Sequence, residues 1–269
     1  MNPSDLKFLL EYIQRHTGIK LDASKVYLLK SRLNGVLRAE SLDSLEDLCS
    51  LLRGSGATRL MPQIIDAMTT NETSFFRDGL PFQHLVEEVI PLMIEARKNV
   101  RKLRLWSAAS SSGQEAVTLG IILLEHFPQL KDWDVKILAS DISPAMVERC
   151  REAVFTDNEI DRGMPPEMKA RYFDRHPEGW QAKPLIRDLM EMRQLNLIHP
   201  LPNLPMQDLV LLRNVLIYFD EPTRESIFRG LARVLAADGY LLLGTAEKPR
   251  SSSYERAFGN QANVFRRAA

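Results

Sequence analysis

Between an apolar run and a long helical pattern lies Ala108-Ala109-Ser110-Ser111-Ser112-Gly113-Gln114-Glu115. Small residues let a backbone pass close to a ligand. A helix starting just beyond would offer free N–H groups. In dinucleotide enzymes such a turn cradles a pyrophosphate. This turn lacks the G-x-G-x-x-G spacing and brings in Glu115, a carboxylate that repels phosphate and suits a cation. S-adenosylmethionine has that character, with an ammonium, a sulfonium and no phosphate. Asp141 closes a second apolar run 28 residues after Gly113. An acid there can accept two hydroxyl bonds from a ribose diol. Alone, Asp141 is explained about as well as a cap for a helix near Pro144. Glu115 is likewise favoured by the helix dipole in any first turn. The Ser/Gly turn and the strand order together favour ribose binding. They do not by themselves separate methyltransferases from other nucleotide binders.

The elements that must hold these residues follow from periodicity. Residues 1 to about 70 read as helices. Leu6, Leu9, Leu10 and Ile13 share one face, and Gly18 ends that helix. Val26, Leu29, Leu33, Val36 and Leu37 follow a cap at Asp22-Ala23-Ser24. Leu45, Leu48, Leu51 and Leu52 make a third helix from Asp43-Ser44, stopping at Gly54-Ser55-Gly56. From about residue 100 the period changes. Strands are expected over 102–108, 134–140, 208–212 and 240–244, with helices over 114–126, 144–152 and 221–235. An edge strand is expected at 263–266. This alternation predicts a doubly wound α/β sheet. Between 157 and 195 four prolines break the pattern, with a strand expected over 185–192. That stretch reads as an inserted antiparallel β-subdomain. The expected domains are therefore 1–72 (helical), 73–99 (linker and first helix) and 100–269 (catalytic), with 157–195 inserted.

Lys plus Arg equals Asp plus Glu at 35 each, so no basic excess argues for a nucleic-acid partner. The two cysteines, Cys49 and Cys150, lack metal-ligand spacing and disulfide density, which fits a reducing compartment and no metal site. The first eleven residues carry Asp5, Lys7 and Glu11 and no signal-peptide core. The longest apolar run, 116–124, is too short to span a bilayer. A cytoplasmic protein without membrane insertion is expected.

Two stretches are more specific: Thr69-Thr70-Asn71-Glu72-Thr73-Ser74-Phe75-Phe76-Arg77-Asp78, and Leu212-Arg213-Asn214-Val215-Leu216-Ile217-Tyr218-Phe219-Asp220. With Trp106-Ser107-Ala108-Ala109 and Ala139-Ser140-Asp141-Ile142-Ser143, they closely resemble the CheR family of chemotaxis receptor methyltransferases. The resemblance covers nearly the whole chain. It implies a class I methyltransferase (Rossmann-like) sheet behind a small helical domain. It also implies transfer of the S-adenosylmethionine methyl to receptor glutamates, with S-adenosylhomocysteine as product. The family's cofactor contacts correspond to Asn71, Thr73, Arg77, Ala108, Glu115, Asp141, Asn196, Leu197, Arg213 and Asn214. Arg77 and Tyr218 fall beside the reacting methyl. A glutamate, with an unperturbed pKa of about 4.3, is already an anion at neutral pH and needs no general base. Arg77 and Tyr218 are then expected to position groups. The chain departs from the family pattern at Gln114-Glu115-Ala116-Val117, at Leu212, and at Gly244-Thr245-Ala246-Glu247. None of these removes a residue assigned to the chemistry.

The expected partners are the cytoplasmic helices of chemoreceptors. From 15 to 38 six bases face one acid, and Lys25, Lys30, Arg32 and Arg38 are candidates for docking on an acidic coiled coil. Some family members also grip a receptor C-terminal pentapeptide on the inserted subdomain. Here 174–194 is short for that hairpin and contains Pro184, so no tether is expected. The competing readings are another methyl acceptor, or a cofactor-binding sensor without activity. A nicotinamide dehydrogenase is more distant.

Overall fold

The computed structural model describes residues 1–22, 26–54, 56–249, 253–259 and 263–268. Four helices come first: α1 (Pro3–Thr17), α2 (Val26–Ala39), α3 (Leu45–Arg53) and α4 (Ala57–Met68). Asn2 caps α1 through Asp5 N–H, and Ser44 caps α3 through Asp47 N–H. Gly18 ends α1 at φ +75°. The expected cap at Ala23-Ser24, the docking candidate Lys25, and Ser55 of the expected stop lie outside the described residues. Helix α4 had no separate signal, because Gly56 and the interior Pro62 weaken its pattern. Leu9, Ile13, Leu29, Leu33, Leu48, Leu60 and Ile64 form the core of this bundle.

A strap, 69–79, leads into a long helix in three stretches. These are α5 (Leu80–His84), a π-helical turn (Leu85–Val89) and α6 (Ile90–Arg97). The main sheet then begins with β1 (Lys102–Ala108), α7 (Gln114–His126), β2 (Asp134–Asp141) and α8 (Pro144–Glu152). The insertion holds β3 (Val154–Phe155), α9 (Asp157–Asp161), α10 (Pro166–Tyr172), β4 (Phe173–His176) and β5 (Gly179–Ala182). These three strands pair antiparallel in the order β3-β5-β4. The small sheet therefore starts ahead of residue 157. The expected strand over 185–192 is divided. Pro184 opens a short helix, α11 (Pro184–Arg187), because proline suits the first helical position. Strand β6 (Met190–Gln194) then joins the main sheet parallel to β2.

The chain returns through β7 (Gln207–Leu212), α12 (Glu221–Ala232), β8 (Leu235–Leu243), β9 (Tyr254–Arg256) and β10 (Val264–Arg267). The main sheet runs β6-β2-β1-β7-β8-β10-β9. Strand β10 was expected at the edge. It lies inside, antiparallel to β8, and β9 covers it. Burial on both faces is readable residue by residue. Leu103, Leu105, Leu209 and Leu211 pack in one layer, with α5–α7 and the insertion. Trp106, Ala108, Val210 and Leu212 pack in the other, with α12. Such period-2 burial on both sides requires helices on both faces. The strand order reverses between β1 and β7, where an open α/β sheet leaves a crevice at its carboxyl edge.

Candidate functional site

That crevice is a cleft open to solvent at its mouth. The turn from β1 to α7 forms its floor. Ala109, Ser111 and Gly113 adopt positive φ (59°, 50° and 98°), which folds the backbone tightly over the strand end. Only Gly113 is free of a Cβ there. A side-chain carbon on it would lie 2.6 Å from Cys150 Sγ. Ser111 N–H donates to Asp141 Oδ2 at 2.9 Å and Ser143 N–H to Oδ1 at 3.0 Å. Ser143, not Asp141, caps α8, through Met146 N–H at 3.0 Å. The Asp141 carboxylate thus braces the two loops and faces the cleft. Burial pushes its carboxyl above the usual carboxylate range, opposed in part by the N–H groups of Ser143 and Ser111.

Glu115 stands in the first turn of α7. Ser107 Oγ donates to one oxygen at 2.7 Å, and Arg213 Nη1 to the other at 3.0 Å. Arg213 is buried at the end of β7. It also bonds Asp78 Oδ2 at 2.9 Å and the Arg77 carbonyl at 2.7 Å, and lies over the Phe82 ring. One guanidinium therefore ties α7 to the strap. The strap is anchored twice more. Ser111 Oγ donates to the Asn71 carbonyl at 2.9 Å, and Phe76 N–H to Thr118 Oγ1 at 3.2 Å. Phe75 is buried edge-on between Phe155 and Phe173 of the insertion. Arg77 spends one donor on the Glu72 carbonyl at 3.0 Å and lines the cleft.

Asn71, Thr73, Arg77, Glu115, Asp141, Arg213, Asn214 and Tyr218 all line this one cleft. Glu72, Glu115 and Asp141 outnumber Arg77 and Arg213 on its wall, an acidic bias that suits a cationic ligand. Two of these acids, Asp141 braced by backbone N–H groups and Glu115 held by Ser107 and Arg213, have the chemistry to accept hydroxyl and ammonium donors. The residues present fit S-adenosylmethionine.

Comparison with known proteins gives the same answer. Residues 71–262 match the model of the CheR methyltransferase SAM binding domain, and residues 4–69 its all-alpha domain. Chemotaxis protein methyltransferase 1 of Pseudomonas aeruginosa is 38% identical, covering 91% of this chain and 90% of that one. Chemotaxis protein methyltransferase Cher2 of Pseudomonas putida is 38% identical over 88% of this chain and 87% of its own. The chain belongs to the CheR methyltransferase family. S-adenosylmethionine is its cofactor.

Three residues expected as cofactor contacts of this CheR protein are not among those that line the cleft. Ala108 is buried in the core, and its neighbour Ala109 lines the cleft. The strand ends at Ala108, and the turn that lines the cleft begins with the next residue. Asn196 and Leu197 are not among the lining residues. The Asn196 amide donates to the His16 carbonyl at 2.8 Å and accepts from Ile198 N–H at 3.2 Å, joining the two domains. Leu197 packs on the core. Arg32 is also used internally. Its guanidinium donates to the carbonyls of Met68 and Thr69, and to Thr70 Oγ1 at 2.8 Å, so it holds the start of the strap. Lys30 and Arg38 are exposed on α2. Sequence reasoning missed Thr17 and Ile19 of the helical domain, which line the cleft. Lys20 N–H beside them donates to the Tyr218 carbonyl at 3.1 Å. No local signal marks these positions, since tertiary docking alone brings α1 there.

Proposed function

We propose that this CheR protein methylates glutamate side chains on the cytoplasmic helices of chemoreceptors, giving methyl esters in the cytoplasm. The observation that carries the reading is the chemistry of the cleft wall. Among the described residues no histidine, lysine or cysteine lines it. Its carboxylates are engaged: Glu115 with Arg213, Asp141 with backbone N–H groups, and Glu72 with Arg162 at 3.2 Å. An amine or hydroxyl acceptor would need a base to take its proton. A carboxylate acceptor needs none.

The bound cofactor supplies an electrophilic methyl on its sulfonium. Asp141 receives the ribose hydroxyls and Glu115 the ammonium. Arg77 has donors to spare and takes the substrate carboxylate by charge-assisted bonds. The Tyr218 hydroxyl orients the acceptor oxygen towards the methyl. The exposed face of α2, with Tyr27, Lys30, Asn34 and Arg38 at helical spacing, meets the acidic receptor helices. The inserted sheet, with strands of two to four residues, does not serve as a pentapeptide tether.

The test is transfer of labelled methyl to a chemoreceptor cytoplasmic fragment, followed by mild alkali. Release of labelled methanol is the expected result. Alkali-stable label would point to a different acceptor. Silence across a full receptor panel, with S-adenosylhomocysteine still bound, would favour a sensor.

A further inference from the structure

The turn after β8 reads Gly244-Thr245-Ala246-Glu247, and its acid does not line the cofactor cleft. Glu247 is buried, and no ion pair to it is present among the described residues. Its carboxylate instead accepts four backbone N–H bonds. Oε2 takes Asn214 at 2.8 Å and Gly244 at 2.9 Å. Oε1 takes Val215 at 2.9 Å and Leu216 at 2.7 Å. Three consecutive amides of the loop after β7 therefore converge on one side chain. The turn itself is closed by Glu247 N–H to the Gly244 carbonyl at 2.9 Å.

The loop so gathered carries Asn214, Val215 and Tyr218 of the cleft wall. Asn214 sits at φ +59°, a conformation that non-glycine residues seldom adopt without support. Leu216 begins the single turn Leu216–Tyr218 that delivers the tyrosine to the cleft. Gly244 completes the fit. A Cβ there would lie 2.6 Å from Glu247 Oε2 and 3.0 Å from the Asn214 nitrogen. Only a carboxylate can serve this arrangement. A carboxamide accepts through one oxygen and turns its own N–H groups against the remaining donors.

We propose that Glu247 is a positioning residue for methyl transfer, its carboxylate setting Asn214 and Tyr218 by gathering the amides of residues 214–216. The proposal rests on the reading that Asn214 and Tyr218 act in the cleft. It goes beyond that reading in assigning their geometry to a residue outside it.

The experiment is titration of S-adenosylhomocysteine into the full chain, well below the melting temperature of each variant. It compares wild type, Glu247→Gln, Gly244→Ala, Asn214→Ala and the Glu247→Gln/Asn214→Ala pair. Losing one acceptor oxygen, and with it two of the four charge-assisted bonds, should weaken binding on the order of tenfold in Glu247→Gln. Gly244→Ala, which crowds Oε2 and leaves the carboxylate in place, should reproduce the loss. With Asn214 already alanine, Glu247→Gln should cost little more, because both act through one contact. A purely structural role would instead lower melting temperature without this coupling. Wild-type affinity in both single variants, or a loss that adds in full to Asn214→Ala, overturns the proposal. Where Glu247→Gln does not fold, Gly244→Ala and Glu247→Asp carry the same comparison. Failure of all three to fold assigns Glu247 to the scaffold and overturns it as well. Every arm reads product binding. A failure of the glutamate reading, seen as no transfer by wild type to any receptor, leaves these outcomes distinct.

Discussion

Asp141 combines two demands that work against each other. Its site buries a carboxyl, which raises the pKa above the usual value. A ribose diol donates to the ionised form and so lowers it again. The sign for stability follows. With the native pKa raised, the contribution favouring the fold is present below the ordinary range and is lost as pH rises through the native value. Where the acid is ionised it is a standing cost to the fold, offset in part by the N–H groups of Ser143 and Ser111. The sign for binding is opposite. Below the raised pKa the ligand must displace a proton, so S-adenosylhomocysteine affinity should fall as pH is lowered through the native value, which lies above the unperturbed value of about 3.9. Calorimetry on both sides of the native value checks it. Asp141→Asn should bind more weakly and lose this pH dependence. An unchanged slope in the variant would remove Asp141 from the ribose role.

The β1–α7 turn shows how one element depends on a residue of another. Gly113 combines φ +98° with a neighbour, Cys150 of α8, that leaves no room for a Cβ. Gly113→Ala should cost about 2–5 kcal/mol, the sum of a left-handed penalty and overpacking. In a Cys150→Ala background the steric part should be recovered and the dihedral part should remain. Urea unfolding of the two single variants and the double gives that split. The same packing makes Cys150 inert, since burial pushes its thiol up to about 12, and that of Cys49 to about 11. Most of this scaffold was legible beforehand. The bounds of α7 and α8 follow from apolar periodicity, glycine and proline. Strand β9 and the placement of β6 were not legible, because pairing partners are chosen by long-range hydrogen bonds that a short segment does not encode.

At the scale of the molecule, the helical domain walls the cofactor cleft. Gln14 donates to Asp220 at 3.1 Å, Lys20 N–H to the Tyr218 carbonyl, and the Asn196 amide to the His16 carbonyl. Ser143 Oγ reaches Asp66 of α4 at 2.5 Å. Ligand in the cleft should therefore stabilise both lobes together. S-adenosylhomocysteine at about 100 times its Kd should add about 2.7 kcal/mol, and the lobes should melt in one transition. Two transitions, with only the later one shifted, would show that the domains are energetically separate. Charge reversal sorts the basic residues of α2. Lys30→Glu with Arg38→Glu should cut receptor methylation severalfold and leave product binding unchanged. Arg32→Glu should weaken product binding too, because Arg32 holds the strap. Equal behaviour of the three would remove that distinction.

The sequence by itself determined the class of the protein. Period-2 apolar strands alternating with helices specify a doubly wound sheet. The Ser/Gly turn, Glu115 and Asp141 point to a nucleoside ligand without separating methyltransferases from other nucleotide binders, and the two long motifs specify the family. These signals are local, carried by residue type and spacing along a few turns of chain. Tertiary structure decided which side chains face the ligand. It put Ala109 rather than Ala108 on the cleft wall, turned Asn196 to joining the two domains, and turned Arg32 to holding the start of the strap. It brought Thr17 and Ile19 to the cleft wall and drew a loop around Glu247. Those assignments depend on contacts between residues tens to hundreds of positions apart, and such contacts exist only once the layers have packed.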